Sequence, residues 1–268
     1  MIIDFHTHIF PEKIAEKTIA LLSQKGGIPP FSDGTKEGLV EKMERADADV
    51  AVTLPVLTSP TQFDSVNRFA MEINQSFADS KRRLISFAGI HPACEELDKK
   101  MEFIKESGFL GVKIHPDYQQ TMIDDECYVR IMECAKEYDL IVVTHAGVDG
   151  AYPDTVHCPP SRALNLIRKV PHSKLVLAHL GANEMAEEVI DTLCGEDVYF
   201  DTAYVLRFTP APVFRRILDK HGADRILFAT DSPWSDIAGD VNILRSFGLE
   251  QKNEEKILCE NARALLGI

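Results

Sequence analysis

Two histidines separated by one threonine stand near the start of the chain, in Asp4-Phe5-His6-Thr7-His8. Residues two apart on a strand share a face. His6 and His8 would therefore point the same way and could grip one divalent cation at about 2.0–2.1 Å each. Further groups able to join such a site stand at the ends of later apolar runs. They are His91 in "GIHP", Lys113 and His115 in "GVKIHP", His145 in "VVTHAG", His179 in "LAHLGA", Asp201 in "YFDTAY" and Asp231 in "FATDSPW". Six of the 9 histidines occupy such ends, a placement that scattered histidines would not show.

The runs that carry these groups read as strands over 1–8, 50–56, 84–91, 111–115, 140–145, 174–179, 198–204 and 226–231. They are continuous and apolar, as in a parallel sheet covered on both faces. Amphipathic stretches separate them. "TKEGLVEKMERADA" sets Leu39, Met43 and Ala46 on one stripe, and "DDECYVRIMECAKEYD" opens on acidic cap residues. "PPSRALNLIRKV" places Leu164, Ile167 and Val170 together, and "NEEKILCENARALLGI" opens on the cap residue Asn253. Eight strand–helix units in 268 residues fit an α/β fold of the (β/α)8 TIM-barrel type, typically ~250 residues long. No linker divides the chain, so residues 1–268 form a single domain. An open doubly wound sheet is the alternative, but no Gly-x-Gly-x-x-Gly follows any strand. The segment from Glu12 to Gly34 exceeds a plain connection and includes the loop-like "QKGGIPPFSDG". It is expected to form a small lid-like insertion over the barrel mouth.

A barrel of this type gathers its strand C-termini at one mouth. His6 and His8 then meet His145 from the opposite strand and Asp231 from the adjacent one. Three imidazoles and a carboxylate suit Zn first, and also Mn, Fe or Co. One ion is expected and two are possible. Lys113 and His115 share the inward parity and are candidates for a second metal or for substrate. Asp201 is expected to hydrogen-bond neighbouring strand-end groups. Phe10, Tyr152, His157, Tyr204, Arg207 and Trp234 lie on loops that would shape the pocket. Arg207 offers a bidentate fork for a carboxylate. His91 reads as supporting or structural, and His172 and His221 as surface residues.

Composition narrows the classes. With 45% apolar and 26% charged residues, the chain is an ordinary soluble globular protein rather than a disordered or fibrous one. The formal charge of −13 disfavours phosphate backbones and anionic lipid. Neither nucleic acid nor a membrane is expected as partner, while a homo-oligomer remains open. The six cysteines (Cys94, Cys127, Cys134, Cys158, Cys194 and Cys259) form no Cys-x-x-Cys pair. They read as reduced thiols in a cytoplasmic setting. Met1-Ile2-Ile3-Asp4 lacks the basic opening of a secretory signal.

From "DFHTHIFP" through "THAG" and "AHLGA" to "FATDSPW" the chain resembles the amidohydrolase superfamily. It is most similar to the "amidohydrolase 2" branch of metal-dependent hydrolases and aminocarboxymuconate-semialdehyde decarboxylase-like enzymes. The resemblance implies His6, His8, His145 and Asp231 as metal ligands and His179 and Asp231 as catalytic groups. In mononuclear relatives the counterpart of His179 orients or deprotonates water, and in binuclear ones it binds a second metal. Relatives with two metals bridge them with a carboxylated Lys or a Glu on strand four, the place of Lys113. A divalent ion lowers the pKa of water toward neutrality. The leading expectation is therefore hydrolysis of an amide, ester or lactone of a small, carboxylated substrate, with Arg207, Trp234, Tyr204 and His157 binding it. The alternative is nonoxidative decarboxylation of a small aromatic or muconate-like acid. A TatD-like deoxyribonuclease is a third reading, disfavoured by the charge and by the absence of an acid where "GVKIHP" stands.

Overall fold

The computed structural model describes all 268 residues, Met1–Ile268. Its strands are β1 (Ile3–Thr7), β2 (Val50–Thr53), β3 (Arg83–Ser86), β4 (Ala88–Gly89), β5 (Gly111–Ile114), β6 (Ile141–Thr144), β7 (Leu175–Leu177), β8 (Tyr199–Asp201) and β9 (Ile226–Leu227). All pair in parallel, in the orders β1-β2-β3 and β4-β5-β6-β7-β8-β9. β3 and β4 are one run interrupted at Phe87, so nine short strands fill the eight expected positions. Backbone bonds from Phe5 N to Phe228 O (2.9 Å), Asp231 N to His6 O (2.8 Å) and His8 N to Ser232 O (2.6 Å) tie the last strand to the first. The strands are shorter than their apolar runs because pairing stops where each chain turns outward at the mouth, and the chemical groups sit at or just past these ends.

The helices are α1 (Glu12–Gly26), α2 (Lys36–Ala46), α3 (Phe63–Ser76), α4 (Leu97–Glu106), α5 (Pro116–Gln119), α6 (Glu126–Glu137), α7 (Pro160–Lys169), α8 (Ala186–Thr192), α9 (Ala211–His221), α10 (Ile237–Ser246), α11 (Gln251–Glu255) and α12 (Asn261–Leu266). Thr35 caps α2 by accepting from Gly38 N at 3.0 Å, and Leu39 and Met43 are its buried stripe. Helix α11 begins two residues before the expected cap at Asn253. Alternate strand residues feed two apolar layers. Val112, Val142 and Leu175 pack with helix residues such as Met43, Met101 and Leu166. Val143, Val176 and Leu227 join a smaller cluster with Ala262 and Leu266 of α12.

The segment after β1 is more ordered than its loop-like composition suggests. Residues 12–26 form α1, which ends at Gly27 in the left-handed conformation (φ 68°). Only the stretch beyond it is loop. That stretch crosses the mouth, where Phe31 N donates to Pro233 O at 2.7 Å, and from the last turn of α1 Lys25 Nζ lies 3.6 Å from the Tyr152 ring centre.

Candidate metal centre

The register of β1 shifts between Asp4 and Thr7, a bulge at the point where the site begins. His6 is buried, and its Nδ1 donates to Asp201 Oδ2 at 2.8 Å. His8 Nδ1 donates to the Leu54 carbonyl at 2.7 Å. These partners only accept, so each ring carries its proton on Nδ1 and turns a bare Nε2 inward. The two Nε2 atoms lie 3.2 Å apart. Asp231 Oδ1 completes the triangle, 3.0 Å from His8 Nε2 and 3.5 Å from His6 Nε2. Three electron-rich atoms thus converge, with Lys113 Nζ, 3.2 Å from His6 Nε2, as the donor beside them.

The spacing fits a divalent ion. Ligands at about 2.0–2.1 Å in a tetrahedron stand about 3.3 Å from one another, against the 3.0, 3.2 and 3.5 Å found here. Two imidazoles and a carboxylate suit Zn or Mn without distinguishing them. Burial acts most strongly on Asp231, but the adjoining His8 and His6 outweigh it and hold the carboxyl below its ordinary range. Burial, then Lys113, drives His6 well below the usual histidine value. Both groups are thereby kept in the form that binds a cation. Asp231 takes a left-handed backbone (φ 63°), as do His179 (φ 62°) and Tyr204 (φ 65°). Such strain in non-glycine residues persists where surrounding structure enforces it, often at functional sites.

Lys113 is buried in the floor, with Nζ 3.2 Å from His6 Nε2. Burial lowers its pKa to about 8, against the pull of Asp201 and Asp231. His179 Nδ1 donates to Ala203 O at 2.9 Å, so its Nε2 accepts, here from His145 Nδ1 at 2.9 Å. Asp201 behaves as its position suggests. Besides holding His6, its Oδ1 accepts from His179 N (2.9 Å) and Ala203 N (3.0 Å).

Other expected residues lie elsewhere. His145 does not stand with His6, His8 and Asp231; it groups with His115 and Asp149 instead. The His115 and His145 rings are stacked, 4.4 Å between centres and 6° apart in plane. His157 is buried and tied to Asp117. Its ring Nδ1 donates to Asp117 Oδ1 at 2.9 Å, and its backbone N to the same oxygen at 3.2 Å. His221 is not on the surface: it is buried, stacked on Phe200 at 3.9 Å. His172 is half-buried and donates to Leu140 O. His91 is structural, its Nδ1 accepting from Ala93 N.

Arg207 has no acidic partner. Its Nη2 donates to Trp234 O at 2.9 Å, and its guanidinium carbon lies 4.9 to 5.6 Å from the ring centres of Phe31, Tyr204 and Phe208. The remaining donors are available for an anion. Trp234 is half-buried, and its main chain helps hold Arg207. Tyr152 meets Tyr118 edge-on at 5.1 Å on the other side of the mouth, under Lys25.

Three acids escaped notice in the sequence: Asp4, Asp117 and Asp149. Asp4 is fully buried and accepts from the Thr230 hydroxyl at 2.5 Å; burial raises its pKa to about 8. Burial also raises Asp117 and Asp149. Their positions two and four residues beyond the strand-end His115 and His145 were the available signal.

The amidohydrolase family model matches residues 3–268. No curated protein matches the chain by sequence. Among solved structures, an uncharacterized TIM-barrel protein from Bordetella bronchiseptica has a TM-score of 0.80 at 18% identity, covering 99% of this chain and 98% of its own. A 2,6-dihydroxybenzoate decarboxylase from Rhizobium has a TM-score of 0.70 at 15% identity, covering 99% and 98%. A 5-carboxyvanillate decarboxylase from Novosphingobium aromaticivorans, complexed with manganese and 4-hydroxy-3-methoxy-5-nitrobenzoic acid, has a TM-score of 0.71 at 15% identity, covering 100% and 96%. At these identities the likeness establishes a shared fold.

Proposed function

The chain belongs to the amidohydrolase family, and on that premise we propose that it is a metal-dependent decarboxylase of a small aromatic acid. The observation that carries the metal dependence is the convergence of His6 Nε2, His8 Nε2 and Asp231 Oδ1 within 3.0 to 3.5 Å. The choice of decarboxylation over hydrolysis, the leading expectation from sequence, is supported by the full-length decarboxylase neighbours. It is supported also by the aromatic residues Tyr204, Phe208, Tyr118 and Tyr152 around the mouth.

His6, His8 and Asp231 would hold the ion, Zn or the manganese seen in the neighbour. When bound, it would supply a Lewis acid for the oxygen substituents of the substrate. Arg207 anchors an anionic group at the mouth with its unpaired donors. Lys113 turns its Nζ toward the same centre from below. Decarboxylation breaks the bond between the ring and the carboxylate. The electron pair stays on the ring carbon, which takes up a proton as CO2 leaves. That proton comes from solvent, and His179 can relay it only at Nε2, once the contact with His145 Nδ1 opens, because Nδ1 is committed to Ala203 O.

The test offers the metal-loaded enzyme dihydroxybenzoates and carboxyvanillate, with an ester and lactone panel beside them, in water enriched in oxygen-18. Release of CO2 with the decarboxylated arene as product, free of heavy oxygen, is expected. Turnover of esters or lactones with one solvent oxygen in the product, and no CO2 from the acids, would establish hydrolysis instead.

A further inference from the structure

A cleft of about 230 Å³ lies between the β7–α8 loop and α9. The buried His179 lines one part of it, and the exposed Glu184 and Phe208 line another. It therefore runs from beside the metal centre to the surface. The His179 ring centre is 5.7 Å from that of His6.

The walls are apolar. Leu180, Ala182 and Val205 line the cleft as buried side chains, and Val213 and Ile217 join them from α9. The polar residues along it turn their polar groups elsewhere. Asn183 Nδ2 donates to Val148 O at 2.8 Å, and the Thr209 hydroxyl donates to Val205 O at 2.9 Å. Glu187 pairs with Arg216 at 2.6 and 2.9 Å. Glu184 lies exposed at the rim. Water in such a cleft finds few partners. Interiors are ordinarily close-packed, so an open apolar space of this size is costly to keep. The loop that borders it is also strained: His179 (φ 62°), Leu180 (φ 54°) and Glu184 (φ 60°) all hold left-handed backbones. Strain of this kind in non-glycine residues clusters at functional sites.

The cleft shares its rim with a cation. Val205 and Arg207 belong to one short turn, Val205–Arg207. The Phe208 ring, on a residue 62% exposed, lies 5.6 Å from the Arg207 guanidinium. A free anion-binding fork thus stands beside an apolar opening.

We propose that this cleft is a substrate subsite for an apolar substituent. The substrate is an aromatic acid carrying an alkyl or aryl arm, with an anionic group at Arg207 and the arm between the β7–α8 loop and α9. This narrows the aromatic-acid reading given above and rests on it. An apolar cavity of about 150 Å³ holds benzene, so 230 Å³ admits a butyl chain or a phenyl ring. Each methylene moved from water into such a space is worth about fourfold in affinity.

The test is calorimetry on the manganese-loaded protein, with benzoate, 3-butylbenzoate and 4-butylbenzoate as probes. The better butyl isomer should bind about 10–100-fold more tightly than benzoate. Val213→Phe on α9 and Ala186→Leu on α8 each fill the cleft from a different side and should bring that ratio close to one. Either variant suffices if the other does not fold. Equal affinities in the native protein, no binding of either butyl acid at millimolar concentration, or a preference that persists in the filled variants would overturn the proposal. Its failure is distinct from that of the reaction. Release of CO2 from dihydroxybenzoates with no butyl preference would overturn the subsite and leave decarboxylation standing. A butyl preference lost in the filled variants, with no CO2 from any acid, would support the subsite and overturn decarboxylation.

Discussion

Asp201→Asn probes the first site through a residue that does not itself bind the ion. The carboxylate fixes the His6 proton on Nδ1 by accepting it at 2.8 Å, and so keeps Nε2 bare. Its other oxygen accepts from His179 N and Ala203 N. An asparagine oriented to preserve those two bonds must present its NH2 to His6 Nδ1, donor against donor. His6 then has two options. It can keep its tautomer and bury an unmatched pair of donors, at about 1–3 kcal/mol. Otherwise it moves the proton to Nε2, where it blocks the metal. Either route should weaken the ion by about 10–100-fold, the usual effect of removing a carboxylate behind a ligating histidine. The assay is competition with a chromophoric chelator on metal-stripped protein, alongside thermal unfolding without metal. Metal affinity should fall by that factor while the metal-free protein still unfolds cooperatively. An unchanged affinity in a folded Asp201→Asn protein would refute the tautomer argument, and with it the assignment of His6 Nε2 as ligand.

Other outcomes follow from the same geometry. His221 is buried against Phe200, and burial lowers its pKa from 6.5 to about 4. The native ring stays neutral while the unfolded one takes up a proton, so its contribution is complete above about pH 6.5 and lost as the pH falls toward 4. Between about pH 7.5 and 4.5 the native protein should lose about 2–3 kcal/mol that His221→Asn does not lose, read by urea unfolding; parallel pH profiles would contradict this. Gly147 has φ 85° and pairs with Asn183, and a Cβ there would meet Asn183 N at 2.1 Å. Gly147→Ala should cost about 2 kcal/mol or more of stability, and a change under ~0.5 kcal/mol would show that the two loops part freely. Arg207→Ala should raise the KM for a carboxylated substrate about tenfold with kcat little changed; Arg207→Lys should recover only part, because the planar fork is lost.

The fold was legible because burial leaves a mark on every strand. Apolar runs such as Ile141–Thr144 and Leu175–Leu177 can be read without neighbours, and their spacing in the chain sets the barrel order. The pairing of His6 with His8 was legible for a similar reason, since strand periodicity alone brings their side chains together. Asp231 could be placed beside them by strand order. Helix α1 was obscured because only Ala15 and Ile19 of its residues are buried, too thin a stripe to outweigh the glycines and prolines that follow.

Tertiary structure decided which way each ring turns. His145 and His179 stand at strand ends that look equivalent in sequence, yet the Ala203 carbonyl holds His179 Nδ1 while the His145 ring stacks on His115. His157 is oriented by Asp117, a partner 40 residues away, while His221 was assigned to solvent and is buried on Phe200. Sequence fixes where a side chain is attached. Its orientation and proton are set by partners remote in the chain, as Asp201, 195 residues away, sets those of His6. Such partners come together only when the ring of strands has formed.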